Sequence, residues 1–355
     1  MVKKKIRVGL IGAAGYGGVG LIELLINHPS ISICALVDKQ DTNKPISDIY
    51  PHLKGFCDLP ILDPADPECA GKFDLVFFAT PDGVAQRQAR KWLNEGTKVI
   101  DYSGDFRFSD KEGYASYAAR IGVSREHADT DILPSSTYGL PELYRREIAT
   151  SNLVGNPGCF AAGCILGLAP ALKFRLIDSD DIIIDAKSGV SGAGKTPKPS
   201  FHFPARHEAA NAYKVTGHQH VCEIEREFAL LTGKEARITF TPHVVPLSRG
   251  IISTMYANLL PQVDLDRLRD AYKSMYYREP FIRVYSHGET ISTTDVRGTN
   301  FCNISLNIDP RTEKLIIITV IDNLVKGQAG NALQNMNIMM GIEETAGLMH
   351  PGRFP

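Results

Sequence analysis

Ile6-Arg7-Val8-Gly9-Leu10-Ile11-Gly12-Ala13-Ala14-Gly15-Tyr16-Gly17-Gly18 is the stretch whose reading decides the fold. Its first six residues form an apolar strand that runs straight into glycines. Val19, Leu21, Ile22, Leu24, Leu25 and Ile26 follow at helical spacing until His28-Pro29 ends the run. Strand, glycine turn and helix in this order make a seat for a pyrophosphate: glycines let the main chain approach the phosphates, and the helix start offers N–H donors and a positive dipole end. The spacing of Gly12, Gly15 and Gly18 is G-x-x-G-x-x-G, with Tyr16 and Gly17 in the same turn, and not the commoner G-x-G-x-x-G. A glycine run by itself is equally well a tight turn; its place between a first strand and a first helix gives it meaning.

Working outward, Ile31–Val37 is a second strand that ends at Asp38. An acidic residue there accepts a hydrogen bond from a ribose 2′-hydroxyl and suits NAD, whereas Lys39 beside it suits the 2′-phosphate of NADP, so both cofactors stay open. Residues 73–79 and 98–102 are further strands, separated by a helix over about 83–94. Near-continuous apolar strands alternating with helices predict a parallel sheet covered on both faces. Ligand then lies beyond the carboxyl ends of the strands, where Thr80 and Ser103-Gly104-Asp105-Phe106-Arg107 fall. Arg107 is either a solvated surface residue or, beside Ser103, a bidentate phosphate ligand.

The second decisive stretch is Asn156-Pro157-Gly158-Cys159-Phe160. The apolar pair Leu153-Val154 enters a Pro-Gly turn and leaves into a run of small and apolar residues, 161–168, that reads as a helix. Cys159 then sits at the amino end of that helix, where N–H groups and the dipole favour thiolate over thiol. The alternative is a buried, unreactive cysteine.

After this helix the pattern changes. Residues 181–186 form a strand leading into Ser188-Gly189-Val190-Ser191-Gly192-Ala193-Gly194-Lys195, a loop with many main-chain donors. Strands at 236–241, 250–256, 300–308 and 314–321 alternate or pair closely, the last two through the turn 309–312. A largely antiparallel sheet with helices over about 219–231 and 265–277 on one face is expected, which makes a second, α+β domain. His218-Gln219-His220 precedes the first of those helices. No further His or Cys completes a metal set, so no metal is expected; either histidine suits general acid/base work, with Glu223 placed to orient one. His243 is a third candidate, and all three also read as ordinary polar residues. Residues 322–341 begin as a turn and become a small-residue helix that would dock on the first domain, its Met336, Met339 and Met340 being core packing.

Bulk properties bound the class. The 355 residues suffice for two domains, each with a core. Lys plus Arg (39) nearly equals Asp plus Glu (40), so no basic surplus points to nucleic acid. No apolar run is long enough for a membrane span or a signal core, and a soluble cytoplasmic protein is expected. The seven cysteines (34, 57, 69, 159, 164, 222, 302) contain no C-x-x-C pair and read as reduced thiols.

Taken together and in order, the glycine turn, Tyr138-Gly139-Leu140-Pro141-Glu142, Asn156-Pro157-Gly158-Cys159, the Ser188–Gly194 loop, His-x-His and Asp322-Asn323-Leu324-Val325-Lys326-Gly327 make the chain resemble the N-acetyl-γ-glutamyl-phosphate reductases of arginine biosynthesis over nearly its whole length. The wider group includes aspartate-semialdehyde and glyceraldehyde-3-phosphate dehydrogenases. The resemblance implies an NAD(P)-binding Rossmann domain over 1–158, a glyceraldehyde-3-phosphate-dehydrogenase-like α+β catalytic domain over 159–326, and a C-terminal helix, 327–355, returning to the first. It implies an NADP-linked enzyme, NAD not being excluded, that works as a homodimer or homotetramer on a small molecule, with no nucleic acid or membrane partner. By the same likeness Cys159 is the nucleophile and His220 the acid/base with His218 beside it. Gly12, Gly15, Tyr16, Gly17, Gly18, Asp38, Thr80, Ser188, Gly189 and Asn323 serve the cofactor, and Ser103, Arg107 and Asn156 the substrate phosphate. Phe160-Ala161-Ala162 and Gln219 depart from the family pattern and bear on substrate fit. Competing expectations are a sister reductase acting on a carrier-protein-linked aminoadipyl or glutamyl phosphate, an aspartate-semialdehyde dehydrogenase, and a non-catalytic nucleotide sensor.

Overall fold

The computed structural model describes residues 5–66, 72–285 and 288–352; Cys69 lies outside them. The chain divides into two compact units. One runs through Pro157 and takes up Gln328–Met349 again; the other is Gly158–Gly327 with the residues from His350 on.

The first unit contains β1 (Ile6–Ile11), α1 (Tyr16–Leu25), β2 (Ile31–Val37), α2 (Ile46–Ile49), β3 (Ile61–Leu62), β4 (Leu75–Phe78), α3 (Ala85–Asn94), β5 (Lys98–Asp101), α4 (Lys111–Ile121), β6 (Ser136–Tyr138), α5 (Pro141–Thr150) and β7 (Leu153–Gly155). Among the described residues its seven strands lie in the order β3-β2-β1-β4-β5-β7-β6, all parallel. The order reverses beside β1, at the β1/β4 neighbours, and the crevice past their carboxyl ends is where such sheets bind ligands. Leu75, Val76, Phe77 and Phe78 are all buried, as strands covered on both faces must be. Glycine turn and sheet are bonded together: the N–H groups of Gly12 and Ala13 both donate to Val37 O. Gly12 has a positive φ of 85°, and a methyl group there would meet Ala79 O at 2.4 Å, so no other residue fits.

The second unit contains α6 (Cys159–Lys173), β8 (Ile182–Ser188), α7 (Phe203–Arg206), β9 (Asn211–Ala212), α8 (His220–Thr232), β10 (Ile238–Val244), β11 (Ile251–Asn258), α9 (Leu265–Tyr276), β12 (Ile282–Tyr285), β13 (Cys302–Asp309) and β14 (Lys314–Ile321). Its strands run β12-β13-β14-β11-β8-β10-β9. Among the described residues the sheet is largely antiparallel, as the sequence led us to expect, but it is mixed, since β8 pairs parallel with β10 and β12 with β13. The connection from β8 to β10 carries α8, the kind of crossover a parallel pair needs. Alternation of buried and part-exposed residues is identical in either direction of pairing, so the strand patterns could not reveal this.

Helix α6 explains its own composition. Residues 160–172 are all buried, so the helix is apolar all round. A methyl group on Gly167 would meet Met255 Cε at 2.4 Å, and the hydroxyls of Tyr272 and Tyr276 donate to the carbonyls of Gly167 and Leu166. Small residues thus let α6 lie close on β11 while α9 crosses it. After Gly327 the chain re-enters the first unit, where α10 (Gly330–Met339) packs on α5 and α1 with Met336 and Met339 buried.

Candidate active site

Cys159 is the first residue of α6, after Gly158 in extended conformation, and no side chain caps this end. The first-turn N–H groups and the dipole of a 15-residue helix therefore act on a part-exposed sulfur. The neighbouring cysteine on the same helix is its opposite: burial pushes the Cys164 thiol up to about 12, with the Ser253 hydroxyl as its contact.

His220 opens α8 and is 7% exposed. A methyl group on Gly158 would sit 2.3 Å from His220 Nε2, so the Nε2 edge of the imidazole lies against the residue that precedes Cys159. Glu223, one helical turn on and fully buried, accepts the Gly158 N–H at Oε2 (3.0 Å) and places Oε1 4.0 Å from His220 Nε2. The spacing of three residues puts both side chains on one face of α8. His218 Nδ1 accepts the main-chain N–H of His220 at 3.2 Å, and its Nε2 is 3.4 Å from the Tyr213 hydroxyl. An accepting Nδ1 leaves Nε2 as the protonated nitrogen, which makes His218 a support for His220. Phe160 packs edge-on against both rings. His243 instead stands 3.1 Å from Asp185.

Tyr213 has no counterpart among the residues singled out from sequence. Its phenol is pushed up by burial first and then by the charge of Cys159, which puts Tyr213 in that cysteine's surroundings. Gly327, which closes the Asp322–Gly327 motif, also comes close, for a methyl group there would sit 2.7 Å from Cys159 Cβ. The only sequence signal for Tyr213 was position in a loop rich in polar and small residues.

The loop after β8 meets the chain beyond β14. Asn323 Nδ2 donates to Ser191 Oγ at 3.0 Å, and its Oδ1 accepts the Gly250 N–H at 2.8 Å. Ser188 donates to Gly189 O, and the N–H groups of Gly189, Val190 and Ser191 go to the carbonyls of Gly250, Leu247 and Ser248. The expected residues Ser188, Gly189 and Asn323 are thus brought together.

In the first unit the residues expected to hold a dinucleotide also converge. Asp38 Oδ2 accepts the Ala14 N–H, and the Thr80 methyl faces Gly12. A methyl group on Gly18 would meet Gly12 O at 2.4 Å and one on Gly17 the amide of Gln328, whereas Gly15 has only Gly12 O, at 3.6 Å, so the turn is open at Gly15. Tyr16 begins α1 beside it. Thr80 Oγ1 is buried and makes no hydrogen bond. An unsatisfied hydroxyl beside a glycine turn at a helix start suits a phosphate or ribose group, so these residues fit a dinucleotide.

Ser103, Arg107 and Asn156 lie in a buried polar cluster. Ser103 Oγ donates to Asp101 at 2.7 Å. Arg107 Nε donates to Asn156 O and an Nη to Tyr102 O, tying the end of β5 to the turn that leads to the cysteine. Asn156 Oδ1 accepts from both Asn331 and Asn335 of α10, and its Nδ2 donates to Gln328 O. The four-residue spacing of Asn331 and Asn335 was a readable sign of a polar stripe on one helix face. Burial, and then Asp105, push the Asp101 carboxyl well above the usual carboxylate range.

A dinucleotide seat in one unit and a cysteine–histidine pair in the other define a semialdehyde-dehydrogenase type of oxidoreductase. Family models agree: residues 7–151 match the semialdehyde dehydrogenase NAD binding domain and residues 159–323 the semialdehyde dehydrogenase dimerisation domain. Among solved structures, aspartate semialdehyde dehydrogenase II of Vibrio cholerae, complexed with ASA, superposes with a TM-score of 0.71 at 16% identity, covering 96% of this chain and 99% of the other. The Candida albicans aspartate semialdehyde dehydrogenase with NADP gives 0.68 at 16%, covering 95% and 99%. Sequence relatives are nearer. The N-acetyl-gamma-glutamyl-phosphate reductase of Bacillus cereus (strain B4264) is 44% identical over 97% of this chain and 98% of its own length. That of Pelotomaculum thermopropionicum is 43% identical over 99% of each. The chain belongs to the N-acetyl-γ-glutamyl-phosphate reductase family.

Proposed function

We propose that the chain reduces N-acetyl-γ-glutamyl phosphate to N-acetylglutamate semialdehyde and inorganic phosphate with NADPH, as a step of arginine biosynthesis, with Cys159 as nucleophile and His220 as acid/base. The carrying observation is Cys159 at the start of α6 with His220 Nε2 against Gly158.

An acyl phosphate is already activated, so attack by the Cys159 thiolate expels phosphate and leaves a thioester. The helix start favours the thiolate without a strong base. When bound, the nicotinamide supplies hydride to the thioester carbon. Oxyanions formed before and after that transfer meet the first-turn N–H groups of α6, and His220 gives or takes the proton as the thiohemiacetal forms and collapses. Glu223 holds the Gly158 main chain and keeps His220 in place. In this reading Ser188, Gly189 and Asn323 are further cofactor contacts and Ser103, Arg107 and Asn156 are contacts of the substrate phosphate.

The same reading has the protein act as a homodimer or homotetramer. Ile252, Tyr256, Ile316 and Ile318 are half-buried on one face of the second unit's sheet, while α6 packs on the other face at Met255 and Thr319. An apolar sheet face of this kind is suited to a second copy, and light scattering reads the state directly. A thiol nucleophile also needs a reducing compartment, in keeping with the cytoplasm.

The test is turnover of N-acetylglutamate semialdehyde with NADP and phosphate by the purified chain. Absence of phosphate-dependent NADP reduction, or turnover only of a carrier-linked acyl group, would remove the assignment.

A further inference from the structure

Two loops at the carboxyl edge of the first unit's sheet hold each other through reciprocal bonds. Asp82 and Gly83 follow β4, and Gly104 and Asp105 follow β5. Asp82 Oδ1 accepts the Gly104 N–H at 2.8 Å, while the fully buried Asp105 carboxylate accepts the Gly83 N–H, at 2.9 Å to Oδ1 and 3.0 Å to Oδ2. Each aspartate thus binds the glycine beside the other. Gly83 has a positive φ of 87°, a conformation that favours glycine. Helix α3 begins without a capping side chain from Val84, and Asp105 takes that place from the other loop by accepting the Gln86 N–H at 3.1 Å and its side-chain amide at 2.9 Å.

The two aspartates act on different sides. Asp105 holds the start of α3 and the loop that carries Thr80. Asp82 holds Gly104, whose carbonyl accepts the Arg107 N–H at 3.4 Å, and so fixes the turn on which Arg107 sits. Tyr117 of α4 joins the same arrangement: its hydroxyl donates to Asp82 Oδ1 at 3.0 Å, and a methyl group on Gly104 would fall 2.0 Å from its Cε1. The Arg107 guanidinium carbon is 5.9 Å from the centre of that ring. Main-chain turn and aromatic ring therefore carry the position of Asp82 to the guanidinium.

We infer that Asp82 is a positioning residue for the phosphate end of the reaction, acting through Gly104 and Tyr117 on Arg107. The inference rests on the reading of Arg107 as a substrate-phosphate contact. Inorganic phosphate is the probe, in the oxidation of N-acetylglutamate semialdehyde by the purified full chain with NADP. Asp82→Ala is expected to raise the KM for phosphate about tenfold, as loss of one hydrogen bond to a charged acceptor would, and to leave the KM for NADP within about twofold because the Asp105 bonds remain. Asp82→Asn keeps an acceptor oxygen for Gly104 and is expected to bring the phosphate KM back to within about threefold of the wild type. Tyr117→Phe removes one hydroxyl, leaves the Gly104 bond, and is expected to raise the same KM about threefold even if the alanine variant folds poorly. Arg107→Lys loses the planar fork and is expected to raise the phosphate KM by itself; adding Asp82→Ala to it should then raise the KM no more than about twofold further. A phosphate KM unmoved by both Asp82→Ala and Tyr117→Phe, equal rises in the KM values for phosphate and NADP, or effects that multiply in full in the double variant overturn the inference and leave Arg107 as a phosphate contact. A phosphate KM unmoved by Arg107→Lys overturns both.

Discussion

The Gly158 main-chain N–H donates to Glu223 Oε2 at 3.0 Å, so a fully buried carboxylate from α8 holds the residue that leads into Cys159 and α6. Removing the acceptor leaves a buried N–H unsatisfied, which costs about 1–3 kcal/mol. If that appears wholly at the transition state, Glu223→Ala lowers kcat by roughly 5- to 150-fold with KM little changed. Glu223→Gln keeps an acceptor oxygen and should recover most of the activity. Equal losses in both variants would mean that the charge, and not the bond to Gly158, is what the site needs.

Two glycines make room for His220 and Cys159. Gly158→Ala would place a methyl group 2.3 Å from His220 Nε2, and Gly327→Ala one 2.7 Å from Cys159 Cβ. Either forces a displacement of the order of 1 Å, for which about a hundredfold loss of kcat is expected. Steady-state kinetics with a parallel measurement of Cys159 alkylation separates the two: the first should spare the alkylation rate more than the second. Full activity in both would show that the imidazole and the helix start yield freely.

The two cysteines of α6 should differ sharply toward an alkylating agent. Cys164 is buried with its thiol pushed up to about 12, whereas Cys159 is part-exposed at the helix start. Iodoacetamide near neutral pH should therefore modify Cys159 and leave Cys164 intact, read by peptide mass. Cys159→Ser should abolish turnover and keep dinucleotide binding, measured by nicotinamide fluorescence. Unchanged turnover in that variant would exclude the thioester route.

Asp101 should make stability fall as pH rises. Burial, and then Asp105, hold its carboxyl well above the usual range, so the folded state keeps this proton more tightly than the unfolded chain does. Its contribution is fully present below the ordinary carboxylate value and is lost as pH climbs through the raised one. Melting temperature followed upward from the ordinary carboxylate range should decline less steeply in Asp101→Asn than in the wild type. Parallel curves would show that Asp101 does not titrate differently on folding.

The glycine turn and Cys159 were legible from the sequence by their places along the chain. Glycines between the first strand and helix, and a cysteine just before a run of small residues, are local signals, because turn and helix starts are made by neighbours in sequence. Glu223 was readable only as a residue able to orient a histidine; its bond to Gly158 spans 65 positions. Beyond its place in a polar loop Tyr213 gave no local signal, and the partner that Asp38 finds in Ala14 gave none.

Sequence alone thus pointed to a first unit of alternating strands and helices, a glycine turn between β1 and α1, and a cysteine at a helix start, since backbone propensity, side-chain period and helix-end donors act over a few residues. Only the tertiary structure decided that β8 and β10 run parallel, that His220 lies against Gly158 while His218 supports it, and that Asp101 is sealed beside Asp105. These depend on which distant surfaces exclude water together, and burial of that kind is a property of the packed chain that no short window of residues carries.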